Sequence, residues 1–139
     1  MDRWLKKLVS LEKQNNKTMK VFVYGTLKKG GGNDIFLQNS KYLGSGWTHD
    51  KYRLFTDGSL PYVDKKESNY IKGEVYDVDE WTFMSLDNLE GHPYFYQREE
   101  TWIEVPEDEE IVKDYLCWMY FINEQPTSKV VEIKSGEWK

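Results

Sequence analysis

The chain carries one cysteine, Cys117, in 139 residues, so an internal disulfide is excluded and a reducing, cytoplasmic setting is expected. That cysteine lies in the apolar stretch Tyr115 to Ile122, which predicts a buried, inert thiol rather than a nucleophile. Histidine is almost as scarce. His49 and His92 show no metal-ligand spacing with each other or with Cys117, and no metal or cofactor is expected. No apolar run approaches the roughly 20 residues that cross a bilayer, and no uncharged hydrophobic leader opens the chain. Positive charge is in deficit: the net charge of -5 gives a nucleic-acid surface no general electrostatic support. Neither the GxxxxGK[ST] spacing nor a following βαβ unit accompanies Gly30-Gly31-Gly32, which sets aside phosphate-loop and dinucleotide readings.

Aromatic residues are plentiful instead, at 16%, with ten tyrosines and six tryptophans. Each offers a large apolar face with a polar tip, which suits barrel-like cores and cleft walls. The length fits one domain with a sizeable core. Residues 2 to 13 place Trp4, Leu5, Leu8 and Leu11 at helical spacing with lysines opposite. Residues 1–18 therefore read as an appended amphipathic helix that packs on the body or on a second copy, giving a homo-oligomer. The main domain is expected over residues 19–139.

From Met19 onward the texture is strand and turn. Strands are predicted at Met19 to Tyr24, Tyr42 to Thr48, Tyr52 to Thr56, Tyr70 to Val78, Tyr94 to Val105, Asp114 to Ile122 and Lys129 to Lys134. Asp34 to Gln38 reads as a helical turn, Asp57-Gly58 as a tight turn, and Leu60-Pro61-Tyr62-Val63 as a rigid loop able to form a pocket wall. Asp79 suits the N-cap of a helix from Glu80 to about Glu90, with Gly91 at the left-handed stop and Pro93 blocking continuation. Its apolar face is expected through Trp81, Met84 or Phe83, Leu86 and Leu89. Many strands with one central helix imply an α+β domain on a closed or partly closed sheet.

Two segments carry chemistry. Tyr24-Gly25-Thr26-Leu27 follows a buried strand and makes a tight loop whose backbone N–H groups can hold an oxygen-rich ligand. On its own it reads equally as a strand-ending turn with a flexible glycine. Glu90 ends the helix, where the backbone dipole favours lysine over glutamate at a cost below about 1 kcal/mol. Less than about one pKa unit follows from that, so burial beside Tyr94, Phe95 or Tyr96 must supply any further tuning. A solvated glutamate on a frayed helix end is the plain alternative. Asp87 shares the helix face of Glu90 and is expected either to raise its pKa by like charge or to sit in solvent. Arg98 reads as a strand-surface ion pair, a partner of a core carboxylate or a ligand contact.

The order and spacing of Tyr24-Gly25-Thr26-Leu27-Lys28, Gly73-Glu74-Val75-Tyr76-Asp77-Val78 and Leu86-Asp87-Asn88-Leu89-Glu90-Gly91-His92-Pro93, with Tyr96 and Arg98, resemble the gamma-glutamylcyclotransferase-like family. The likeness runs from about Met19 to about Ile122 and is greatest to the gamma-glutamylamine cyclotransferase and AIG2-like branch. It implies a small mixed β-barrel with flanking helices and a pocket at one barrel mouth. It further implies that Tyr24, Gly25, Thr26 and Leu27 cradle a γ-glutamyl substrate and that Glu90 is the acid/base, with Tyr62, Tyr96 and Arg98 as pocket residues. A non-catalytic protein binding a small molecule or a partner on the same fold is the rival expectation.

Overall fold

The computed structural model describes residues 18–126 and 129–139. The expected helix over residues 2 to 13, with its prospect of pairing two copies, lies outside the described residues.

Strand β1 (Met19–Val23) is followed by a short 3-10 turn (Asp34–Leu37), β2 (Lys41–Thr48), β3 (Tyr52–Thr56), β4 (Pro61–Asn69) and β5 (Lys72–Val78). Helix α1 (Glu80–Glu90) then leads to β6 (Tyr96–Pro106), β7 (Val112–Ile122) and β8 (Val131–Glu132). Five strands close a barrel in the order β1-β5-β2-β6-β7, and β4-β3-β8 form a separate three-stranded sheet. The barrel is mixed because β1 meets β7 in parallel, Val21 opposite Trp118, while its other pairings are antiparallel. Like the expected fold, this is a small mixed α+β barrel.

Alternation along the strands divides the core in two. Phe22, Val75, Ile103, Cys117, Met119 and Phe121 come from alternate positions of four barrel strands and pack with Leu54 and Val63. Their neighbours Val21, Val23, Tyr76, Val78, Tyr120 and Ile122 form a second layer with Leu86 of α1. Strands with both faces covered read as continuous apolar runs, which is why Val21-Phe22-Val23 lacks polar alternation.

Strand β4 corrects the loop expected at Leu60 to Val63. Pro61 takes the first strand position, where its missing N–H is tolerated. Pro61, Tyr62 and Val63 are buried, but Lys65 to Ser68 are exposed, so the second half carries no apolar signal.

Candidate active site

The loop after β1 is held by its acceptors. The Gly25 carbonyl accepts from the Lys28 amide at 3.1 Å and closes a turn. The Thr26 carbonyl accepts from the Asn33 amide at 2.9 Å, and Thr26 Oγ1 accepts from Asn33 Nδ2, also at 2.9 Å. Among the described residues, the amides of Gly25, Thr26 and Leu27 donate to no protein acceptor. Unspent backbone donors beside a cavity form a nest for an anion or a carbonyl oxygen. Glycine is required at position 25 by crowding, since a Cβ there would fall 2.5 Å from Pro61 Cγ. The loop thus lies directly on the start of β4.

Across the cavity, α1 supplies the carboxylate. Asp79 caps it by accepting from the Thr82 amide at 2.7 Å. The covered stripe of the helix is Leu86, fully buried, with Phe83 partly buried beside it, and Glu90 follows Leu86 by four residues, on the same side. This corrects the expected face: Trp81 is 76% exposed and Met84 54% exposed. The helix stops where Gly91 turns left-handed at φ 66°, with the amides of Gly91 and His92 bonded to the carbonyls of Asn88 and Asp87. The termination holds Glu90 at the last helical position, against the body of the protein.

Glu90 and the loop line one cavity of about 220 Å³, together with Asn33, Leu60, Pro61, Phe95, Tyr96 and Tyr120. Pockets for drug-sized ligands span roughly 300–1,000 Å³, so this one suits a compound the size of an amino acid. Burial raises the Glu90 carboxyl from its ordinary 4.5 to about 7. Burial is the cause, and the like charge of Asp87 does not account for the shift. Tyr24, Tyr96 and Tyr120 stand around it, and each has its hydroxyl proton engaged elsewhere. Tyr24 donates to the Tyr120 carbonyl at 2.7 Å, Tyr96 to the Pro61 carbonyl at 3.0 Å, and Tyr120 to Asp87 Oδ1 at 2.6 Å. All three phenols are pushed above their ordinary pKa, chiefly by burial, and the charge of Glu90 adds to each.

Of the residues singled out in the sequence, Tyr24, Gly25, Thr26, Leu27, Glu90 and Tyr96 meet in this cavity. Tyr62 and Arg98 stand behind it. Tyr62 is buried, stacks on Tyr96 at 6.1 Å between ring centroids, and donates to Asp57 Oδ2 at 2.8 Å. Arg98 donates through Nε to both carboxylate oxygens of Asp87, at 2.9 and 3.2 Å. Its guanidinium packs on the faces of Phe83 and Trp118, 4.4 and 4.6 Å from ring centroids that themselves lie 6.1 Å apart, so the two rings form a corner around it. His92 makes no dyad with Glu90, because its Nδ1 accepts from the Arg98 amide at 3.2 Å. Cys117 is fully buried, and burial pushes its thiol up to about 12, which rules out a ready thiolate.

Sequence reasoning missed Asn33 and Tyr120. Asn33 follows the glycine run, but nothing local links its amide to Thr26. Tyr120 sits among the apolar and aromatic residues Leu116 to Ile122, so its partner Asp87 is visible only in three dimensions.

The chain is similar to known proteins along most of its length. The family described as gamma-glutamyl cyclotransferase, AIG2-like, matches residues 21–139. A Methanocaldococcus jannaschii protein provisionally named a gamma-glutamylcyclotransferase is 41% identical over 121 residues, covering 86% of this chain and 94% of its own. A Drosophila melanogaster protein with the same provisional name is 39% identical over 116 residues, covering 77% of this chain and 71% of its own. The crystal structure of a mouse AIG2-like protein superposes with a TM-score of 0.71 at 28% identity, over 80% of this chain and 81% of that one. Matched through nearly all of its barrel, helix and loops, the chain belongs to the AIG2-like gamma-glutamylcyclotransferase family.

Proposed function

We propose that the protein is a cyclotransferase that releases 5-oxoproline from a γ-glutamyl amine or amide, with Glu90 as general acid and base. The observation that carries this reading is a carboxyl raised to about 7 in the same cavity as the unspent amides of Gly25, Thr26 and Leu27.

The substrate's α-amine attacks its own γ-carbonyl, closing a five-membered lactam. At neutral pH an α-amino group of pKa about 8 is largely protonated and has no lone pair to attack with. Transfer of its proton to a carboxylate raised to about 7 is less uphill, by about 3 kcal/mol, than transfer to an ordinary one at 4.5. Glu90 takes that proton, and the freed nitrogen bonds to the γ-carbon as the carbonyl electrons move to oxygen. Glu90 then delivers the proton to the departing nitrogen as the old C–N bond breaks and the carbonyl re-forms. The second proton on the ring nitrogen follows by the same carboxylate, so the amine leaves as an ammonium and the lactam keeps one N–H.

The loop amides have two uses in this scheme. Held on the substrate's oxygens, they fold an extended side chain into ring-closing geometry, a proximity contribution of several kcal/mol. An amide on the γ-carbonyl oxygen also stabilises the negative charge that develops there. Hydrogen bonding and proton transfer complete the scheme with groups of this chain alone.

Substitution of Glu90→Gln is the test, with 5-oxoproline release from a panel of γ-glutamyl amines, amides and peptides as the readout. Release by the native protein and a loss of about a hundredfold or more in the variant is expected, because glutamine keeps the shape and loses the base. Unchanged release in the variant removes Glu90 from the mechanism. Binding without turnover across the whole panel favours a ligand-binding protein on this fold.

A further inference from the structure

The three tyrosines around Glu90 share a feature that the proton-transfer scheme does not use. Each gives its hydroxyl proton to a fixed acceptor: a carbonyl for Tyr24 and Tyr96, and the Asp87 carboxylate for Tyr120. A phenol whose proton is committed can only accept from anything else that reaches it. Tyr120 is the most firmly set of the three. Its acceptor, Asp87, is gripped through both oxygens by Arg98, and Arg98 is seated in the corner made by the Phe83 and Trp118 rings. His92 closes the frame by accepting from the Arg98 amide, and its ring meets the Tyr120 ring edge-on, 6.4 Å between centroids. The arrangement is elaborate for a residue that only fills space on a wall, because a phenylalanine would do that without a half-buried carboxylate and guanidinium behind it.

We propose that Tyr120 is the cavity's receptor for the substrate's α-ammonium, with Asp87 and Arg98 as positioning residues that keep its phenolic oxygen an acceptor. The inference rests on the γ-glutamyl reading given above and adds a specificity determinant to it. An ammonium carries three donors and no acceptor, so it is complementary to an oxygen whose own proton points away. The net negative charge of the Asp87 carboxylate is balanced by Arg98, which leaves the phenol oxygen rather than the carboxylate to meet the cation. Glu90 lies one helical turn beyond Asp87, so an ammonium held by Tyr120 is presented to the carboxyl that must deprotonate it. A ligand of the same shape without the α-amine would leave that oxygen without a donor and lose affinity.

The test measures affinity for two ligands, so it reads the proposal whether or not turnover occurs. One ligand is γ-glutamyl methylamide; the other is the same compound with hydrogen replacing the α-amine. Calorimetric titration is done in the Glu90→Gln background, where the first ligand is not consumed, with and without Tyr120→Phe. The parent is expected to bind the amine-bearing compound at least tenfold tighter than its deaminated twin, the scale of a hydrogen bond to a charged group. Tyr120→Phe should cut that preference about tenfold while leaving affinity for the deaminated compound within about twofold. Asp87→Asn, which keeps the shape but loosens the frame, should lower the preference part of the way. Equal affinity for both ligands in the parent, or an unchanged preference in Tyr120→Phe, overturns the proposal. Equal weakening of both ligands in Tyr120→Phe also overturns it, since that marks a general loss of structure. Failure of the γ-glutamyl reading itself is distinguished by neither compound binding at all, which overturns both. In the native background, Tyr120→Phe should raise KM for a γ-glutamyl amine about tenfold and move kcat by less than about threefold.

Discussion

Replacing Glu90 by glutamine has a consequence for stability that is separate from catalysis and follows from the same burial. In the folded protein this carboxyl keeps its proton up to about pH 7, whereas in the unfolded chain it releases it near 4.5. Between those values the folded state binds more protons than the unfolded state, so stability falls as pH rises through the window. The neutral acid's contribution is fully present below 4.5 and is lost as pH passes through 7. A separation of that size corresponds to about 3 kcal/mol, and the partial exposure of Glu90 brings the expected figure to about 2 kcal/mol. Glutamine has the same shape and does not titrate. Relative to the native protein, Glu90→Gln should therefore gain about 2 kcal/mol between pH 4.5 and pH 8. For a domain of this length that is about 6–10 °C in Tm. Urea or thermal unfolding of both proteins at half-unit pH steps measures the difference directly. The variant should be inactive and, above pH 7, the more stable of the two. A stability difference that does not change with pH would refute the burial of this carboxyl and, with it, the proton-transfer argument.

Other expectations follow from single contacts. Gly25→Ala places a methyl group 2.5 Å from Pro61 Cγ and must lift the loop off β4, so kcat/KM should fall by about tenfold or more, with a Tm loss of only a few degrees. Leu86 is fully buried between helix and barrel, and Leu86→Ala should cost about 2–5 kcal/mol in urea unfolding. The acid limb of the kcat/KM profile should rise with pH through about 7 as Glu90 ionises, and that limb should be missing from any residual activity of Glu90→Gln.

What the sequence discloses here depends on how local the cause is. Strand β1 is legible because three consecutive buried apolar residues leave few other options. The helix is legible because Asp79 and Gly91 mark its ends by backbone chemistry that needs no tertiary partner. The face of the helix is not, since Trp81 and Met84 are as apolar as Phe83 and Leu86, and only the barrel selects between the two sides. Strand β4 escapes for a related reason: half of it is an exposed edge, and Pro61 reads locally as a break. In the site, Gly25 and Glu90 stand out as residues whose local cost is unexplained by secondary structure. The size of the Glu90 shift does not, because a helix end could supply under about one unit, whereas the shift comes from burial that only the assembled cavity provides. Arg98 shows the same limit in reverse. Its place in a predicted strand foretells an ion pair with a carboxylate, but not that Asp87 is that carboxylate or that Phe83 and Trp118 pack on it behind the pocket.

The central claim is that Glu90 and the amides of Gly25, Thr26 and Leu27 act on one bound compound. Titrating 5-oxoproline into isotope-labelled protein and following the backbone amides together with the Glu90 side-chain carboxyl carbon tests it most directly. The account predicts that those three amides and that carboxyl shift together, with one common Kd. Shifts at the amides with an unmoved Glu90 carboxyl, or binding confined to another part of the barrel, would contradict it.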